Sequence, residues 1–100
     1  MILTVFRSRI NEEAQEEYKS LSPQIVALAK TMPGFVSHKS YVAEDGERLS
    51  LVEFEDEKSQ QNWARNAEHM AAKERGRAAF YKEYVVQICN VVRESRFSAK

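Results

Sequence analysis

Residues 35–55, FVSHKSYVAEDGERLSLVEFE, decide how this chain folds. Two runs rich in β-branched and aromatic residues, 35–43 (FVSHKSYVA) and 48–55 (RLSLVEFE), flank Glu44-Asp45-Gly46-Glu47. Asp-Gly between two such runs is a strong hairpin signal, because a tight turn needs positive φ and glycine adopts it without a Cβ clash. A hairpin here places two neighbouring antiparallel strands in mid-chain. The segments on either side then determine the architecture.

Upstream, residues 2–10 alternate loosely, with Ile2, Thr4, Phe6, Ser8 and Ile10 set against Leu3, Val5, Arg7 and Arg9, and read as a strand. Asn11 follows as a helix cap, with Glu12 and Glu13 in the first turn, where the helix dipole favours negative charge. Ala14, Tyr18, Leu21, Ile25, Leu28 and Met32 then recur at spacings of three and four, one apolar stripe of an amphipathic helix reaching about Thr31. Pro23 predicts a kink or break near Leu21 and Ser22, and Pro33-Gly34 ends the helix. Downstream of the hairpin, Asp56 caps a second helix that continues to about Gly76, with a separate short helical turn from Arg77 to Tyr81. Residues 84–93 (YVVQICNVVR) form the last strand. The order β-α-β-β-α-β is the ferredoxin-like pattern, an α+β fold with a four-stranded antiparallel sheet and two helices on one face.

That arrangement leaves the other face of the sheet toward water, yet several strands are apolar on both sides. Leu3 and Val5 oppose Thr4 and Phe6, and Val85, Cys89 and Val91 oppose Val86, Ile88 and Val92. An exposed apolar patch of that size marks an association surface, which predicts a two-fold homodimer with two sheets face to face.

The remaining composition narrows the function classes. One hundred residues make one domain, 1–94, followed by a polar tail, 95–100. Lys plus Arg and Asp plus Glu number 15 each, so no net field attracts nucleic acid or an anionic membrane. No stretch approaches the ~20 apolar residues of a membrane helix, and the N-terminus lacks the pattern of a signal peptide. The single cysteine, Cys89, forms no internal disulfide and fits a reducing compartment. The expectation is a small cytoplasmic protein with no membrane or nucleic-acid partner.

Chemistry concentrates in residues 62–84, NWARNAEHMAAKERGRAAFYKEY, which hold the only Trp and one of two His. On one continuous helix, Trp63, Ala64, Ala67, Met70 and Ala71 share the arc that packs on the sheet. Asn62, Asn66, His69 and Lys73 form a polar stripe beside it, placed to line a cleft between helix and sheet. His69, six residues after Trp63, points about 120° away from it in this geometry.

Trp63 followed by Asn66-Ala67-Glu68-His69, then Glu74-Arg75-Gly76-Arg77, Phe80-Tyr81 and Gln87-Ile88-Cys89, resembles the antibiotic biosynthesis monooxygenase family, as does the Pro33-Gly34-Phe35 link into the second strand. The resemblance covers roughly residues 1–94. It implies a dimeric α/β-barrel of ferredoxin-like protomers. It also implies oxygenation of an aromatic or quinol-type substrate with no metal, flavin or other cofactor. In that setting Trp63 walls the pocket, Asn66 orients a substrate oxygen, His69 acts as base, and Arg77 (or Arg75) stabilises an anion. Tyr81, Tyr84 and His38 are the candidate substrate-binding groups. Trp63 carries over from the family's oxygenases directly, and the Asn and Arg matches are approximate in register. The haem-degrading branch departs in the positions that matter: its first-strand Asn falls at Phe6 or Arg7, and its iron-binding His, ten residues after the Trp, falls at Lys73.

Each candidate has a plainer reading. Trp63 fits a core, Asn66 and His69 a solvated helix or a cap, and His38 a strand beside Ser37. Arg75 and Arg77 fit surface pairs with Glu74 or Glu83, worth about 0–1 kcal/mol. Tyr81 and Tyr84 fit a core or a dimer interface. Two His and one Cys at wide separation make no metal-ligand set. The competing functional reading is a non-catalytic dimer that binds a small hydrophobic ligand.

Overall fold

The computed structural model describes residues 1–99. Its elements are β1 (Ile2–Ile10), a 3-10 turn (Glu12–Ala14), α1 (Gln15–Lys30), β2 (Phe35–Val42), β3 (Arg48–Phe54), α2 (Glu57–Arg65), α3 (Ala67–Arg75), a π turn (Gly76–Phe80) and β4 (Tyr81–Asn90). The strands lie in the order β2-β3-β1-β4 and every neighbouring pair is antiparallel, the ferredoxin-like topology expected. Among the described residues, no helix is long and apolar enough to cross a membrane.

Turn chemistry explains the junctions. Gly46 takes φ 91° in the hairpin, where its N–H donates to Ala43 O at 3.0 Å and the Ala43 N–H donates to Glu47 O at 2.8 Å. Gly34 takes φ 83° between α1 and β2, and its carbonyl accepts from the Glu55 N–H at 2.8 Å. Asp56 caps α2, its carboxylate accepting the Ser59 N–H at 2.8 Å.

Three boundaries differ from the sequence reading. Asn11 does not cap with its side chain; its Nδ2 donates to Ala79 O at 3.3 Å and its N–H to Phe80 O at 2.7 Å, tying the end of β1 to the turn before β4. Helix α1 runs without a break through Pro23, an exposed position where the displaced backbone groups can meet water. Strand β4 occupies residues 81–90 rather than 84–93: it pairs with β1 from Tyr81 opposite Ile10 to Asn90 opposite Ile2, beyond which one bond remains, the Val91 N–H donating to Met1 O at 3.1 Å. Residues 91–99 form no regular element, and Lys100 of the expected tail lies outside the described residues.

The interior is two clusters rather than one. Ile10, Ala14 and Phe80 pack with Tyr18, Leu21 and Tyr81 near the start of α1. Ala29, Phe54 and Trp63 pack with Ile25, Leu28, Met32, Phe35 and Val52 near its end. Phe54 and Phe80 are fully enclosed, each such burial being worth about 1.5–3 kcal/mol. Between the clusters, the space beneath the helices is not filled.

Strand alternation separates the two sheet faces. Thr4, Phe6, Ser50, Val52, Val86 and Ile88 border the unfilled space under the helices. Leu3, Val5, Leu49, Leu51, Val85 and Cys89 therefore share the opposite, helix-free face, where Val5 lies between Leu51 and Gln87, and Leu3 between Glu53 and Cys89. The middle of this face is apolar, as the two-sided strands led us to expect, and Arg7, Lys39, Glu53 and Gln87 lie on it as well.

Candidate functional site

The unfilled space is a cavity of about 430 Å³ between α1, the α2–α3 pair and the sheet, within the ~300–1,000 Å³ range usual for small-molecule sites. Its shape depends on a break that the sequence reading did not anticipate. The second helix stops at Asn66, which takes φ −57° and ψ 129°, and restarts as α3. Asn66 Oδ1 accepts the N–H of Glu68 at 3.0 Å and of His69 at 3.2 Å, so it caps the new helix.

The break reorients everything that follows it. Met70 is 47% exposed and Ala71 is exposed, so neither shares the buried arc of Trp63; the Ala67 side chain lies outside the described residues. The four-residue polar stripe also dissolves, with Asn62 exposed and Asn66 serving as the cap. Most consequentially, His69 does not point 120° away from Trp63. Its ring stacks on the indole, centroids 4.0 Å apart and planes 10° from parallel.

His69 Nδ1 lies 3.0 Å from the Trp63 carbonyl oxygen. A carbonyl can only accept, so Nδ1 carries the hydrogen and Nε2 is the unprotonated acceptor. Burial pushes the His69 pKa below its ordinary value, the Trp63 carbonyl opposes that shift, and nearby Lys73 adds to it. The imidazole is therefore neutral at pH 7, with its basic nitrogen free. That combination is what a general base requires.

Aromatic rings form the rest of the wall. Phe6 meets Tyr81 at 5.4 Å and Tyr84 at 5.5 Å, and the two tyrosines meet each other at 5.5 Å. Burial raises the Tyr81 phenol above its usual range, so it stays protonated and can donate a hydrogen bond. His38 borders the cavity from β2, its Nε2 3.3 Å from Ser40 Oγ, which in turn lies 3.2 Å from Ser50 Oγ. Burial and the Lys30 charge both lower the His38 pKa.

Of the sequence candidates, the fold brings Trp63, His69, Tyr81, Tyr84 and His38 onto one cavity. Asn66 and Arg77 are not on its lining: Asn66 is engaged in capping, and Arg77 is exposed on the π turn. Arg75 is occupied by Glu17, its Nε 2.7 Å from the carboxylate. The cation that does border the cavity is Lys73. Two further polar side chains there, Thr4 and Gln60, were not singled out from the sequence. The available signal was a polar residue at an otherwise apolar position, on β1 for Thr4 and three residues before Trp63 for Gln60. Among the described residues, no group of three His, Cys, Asp or Glu side chains could hold a metal ion.

Comparison with known proteins now has a geometry to meet. The family model for antibiotic biosynthesis monooxygenases matches residues 1–75. The chain belongs to that family. The uncharacterized protein YqjZ of Bacillus subtilis is 30% identical over 93 residues, covering 93% of this chain and 82% of YqjZ. Solved structures of the antibiotic biosynthesis monooxygenase fold superimpose over nearly the full length. A Deinococcus radiodurans protein gives a TM-score of 0.87 at 8% identity, covering 99% of this chain and all of that one. SnoaB of Streptomyces nogalater, a cofactor-independent oxygenase, gives 0.78 at 16% identity, covering 93% of this chain and 94% of its own. Rv0793 of Mycobacterium tuberculosis gives 0.84 at 11% identity over 95% of this chain and 98% of that one. At these identities the likeness is one of fold.

Proposed function

We propose that this member of the family is an oxygenase of aromatic, quinol- or anthrone-type substrates that needs no bound metal or flavin. The observation that carries the reading is His69: a neutral imidazole, fixed in one tautomer against the Trp63 carbonyl and stacked on the Trp63 ring, with Nε2 free on an aromatic cavity. The family membership and the SnoaB fold support it.

In this reading the substrate supplies every electron. His69 Nε2 removes the acidic proton, and the resulting ring-delocalised anion is favoured by the Lys73 ammonium at the cavity edge. The anion passes one electron to O2; the substrate radical and superoxide then combine, forming a carbon–oxygen bond. The peroxide anion takes the proton back from His69. Loss of water from the hydroperoxide breaks the O–O bond and leaves a ketone, so CH2 plus O2 becomes C=O plus H2O. The protein's part is to move one proton and to hold the ring between Trp63 and the Phe6–Tyr81–Tyr84 group. The protonated Tyr81 phenol is placed to hydrogen-bond the anion.

The apolar helix-free face supports a homodimer closed sheet to sheet, which would cover Val5, Leu51 and Val85. The test of the functional reading is oxygen uptake by the pure protein with a panel of anthrones and quinols under air, alongside Trp63→Ala and His69→Ala. Uptake above the buffer blank that both substitutions abolish is the expected result. Uptake equal to the blank across the panel would favour a ligand-binding dimer without catalysis.

A further inference from the structure

Among the polar groups of the cavity that the chemistry above leaves without a task, two stand out. Thr4 borders it from β1, between Val52 and Ile88, and its Oγ1 is buried with no hydrogen-bond partner. It is the one buried side-chain oxygen or nitrogen so orphaned among the described residues. Gln60 borders the cavity from α2, one turn before Trp63; it is only 7% exposed, and its carboxamide is engaged in no hydrogen bond among the described residues. Buried polar groups are nearly always paired, so the orphaned Thr4 oxygen, with an accessible and unengaged Gln60 carboxamide on the same cavity, calls for a partner that arrives from outside the chain.

We propose that the Thr4 hydroxyl and the Gln60 carboxamide form a recognition site for a second, uncharged oxygen of the ligand, so that the cavity selects aromatic compounds oxygenated at more than one position. This rests on the reading of the cavity as an aromatic-substrate site. A hydroxyl and a carboxamide each donate and accept, which suits a phenol or a ketone equally. Both are neutral, and the only permanently charged residue on the lining is Lys73, whose side chain is exposed. Nothing at the Thr4–Gln60 wall therefore compensates a buried carboxylate. The two groups project from β1 and α2, whereas the basic His69 projects from α3, so they engage an oxygen other than the one whose proton is removed. The Thr4 hydroxyl is covered, so engaging the ligand requires it to turn about χ1 into another staggered rotamer.

Isothermal titration of the full chain with 1,5-dihydroxynaphthalene and with 1-naphthol reads the preference without any turnover. The wild type should bind the diol about tenfold more tightly, the factor that one further buried hydrogen bond supplies. Thr4→Val, which keeps the shape, and Gln60→Met should each cut that ratio to about twofold while leaving 1-naphthol affinity nearly unchanged, and Thr4→Ser should retain it. A ratio near one in the wild type, or a ratio that both substitutions leave intact, overturns the proposal. Should Thr4→Val fail to fold, as judged by circular dichroism, Gln60→Met decides alone. Binding of 1-naphthol without a preference for the diol would sink this inference and leave the aromatic site standing; no binding of either compound would sink both.

Discussion

Replacing Asn66 by Ala tests the hinge on which the site depends. The substitution removes the acceptor for two amides, Glu68 N–H at 3.0 Å and His69 N–H at 3.2 Å. Glu68 is exposed, so its amide can be rehydrated, whereas the His69 bond is partly buried and its amide is resolvated less well. The 3.8 Å contact from Asn66 Nδ2 to the Met32 sulfur adds little. Loss of an N-cap of this kind costs about 1 kcal/mol, and the shielded His69 amide moves the expectation toward 1–2 kcal/mol. Asn66→Asp keeps the acceptor and adds about 0.3–1 kcal/mol from its charge at the helix N-terminus. Asn66→Gly should lose only a few tenths of a kcal/mol. The stability order is therefore Asp at or above Asn, then Gly, then Ala. Urea unfolding followed by the emission of Trp63, the sole tryptophan, measures it directly. For a chain of this size the Ala variant should also melt about 4–8 °C lower per kcal/mol lost. A loss below about 0.3 kcal/mol in Asn66→Ala, or Asp no better than Ala, would show that the break is not held by this cap.

Three further outcomes follow from other parts of the molecule. Burial holds both His69 and His38 below the usual imidazole pKa of about 6.5. The unfolded chain then binds more protons than the folded one as pH falls below that value, so stability is full above it and declines toward the folded-state pKa; urea midpoints across pH 5–7.5 should show this, with a shallower decline in His69→Gln. Gly34→Ala should destabilise by at least about 1–2 kcal/mol, because φ is 83° and the new Cβ would overlap the Ser59 side chain; an unchanged melting temperature would contradict that. Leu51→Glu, on the helix-free face, should convert a species of about twice 11.6 kDa to a monomer in gel filtration, and a wild type that already elutes as a monomer would remove the dimer.

The order of elements was legible because each carries a local physical signal. Asp45-Gly46 announces the hairpin, Pro33-Gly34 the end of α1, and period-two apolar runs the strands. The two-sided strands were legible as well, and the observed register assigns Leu3, Val5 and Leu51 to one face and Thr4, Phe6 and Val52 to the other. The break at Asn66 was not read, since neither Gly nor Pro marks it and apolar spacing continues on both sides. A cue was present in Asn66-Ala67-Glu68, a capping residue with a carboxylate two positions on, but within a helical pattern it competes with propagation. That one hinge accounts for the largest error at the site, the direction of His69. Pro23 misled in the opposite sense, because a proline on a solvated helix face can be accommodated. Arg77 was chosen for its charge and its approximate family register; its side chain lies on the exposed side of the π turn, and Lys73 holds the place by the cavity instead.

Oxygen consumption tests the central claim most directly. Wild-type protein and His69→Gln, both verified as folded, are compared on anthrone- and quinol-type compounds in an oxygen electrode. The account predicts uptake above the blank in the wild type and a fall of about 10²–10⁴-fold on loss of the base. Uptake that His69→Gln leaves unchanged, or a wild type no faster than buffer across the panel, would contradict it.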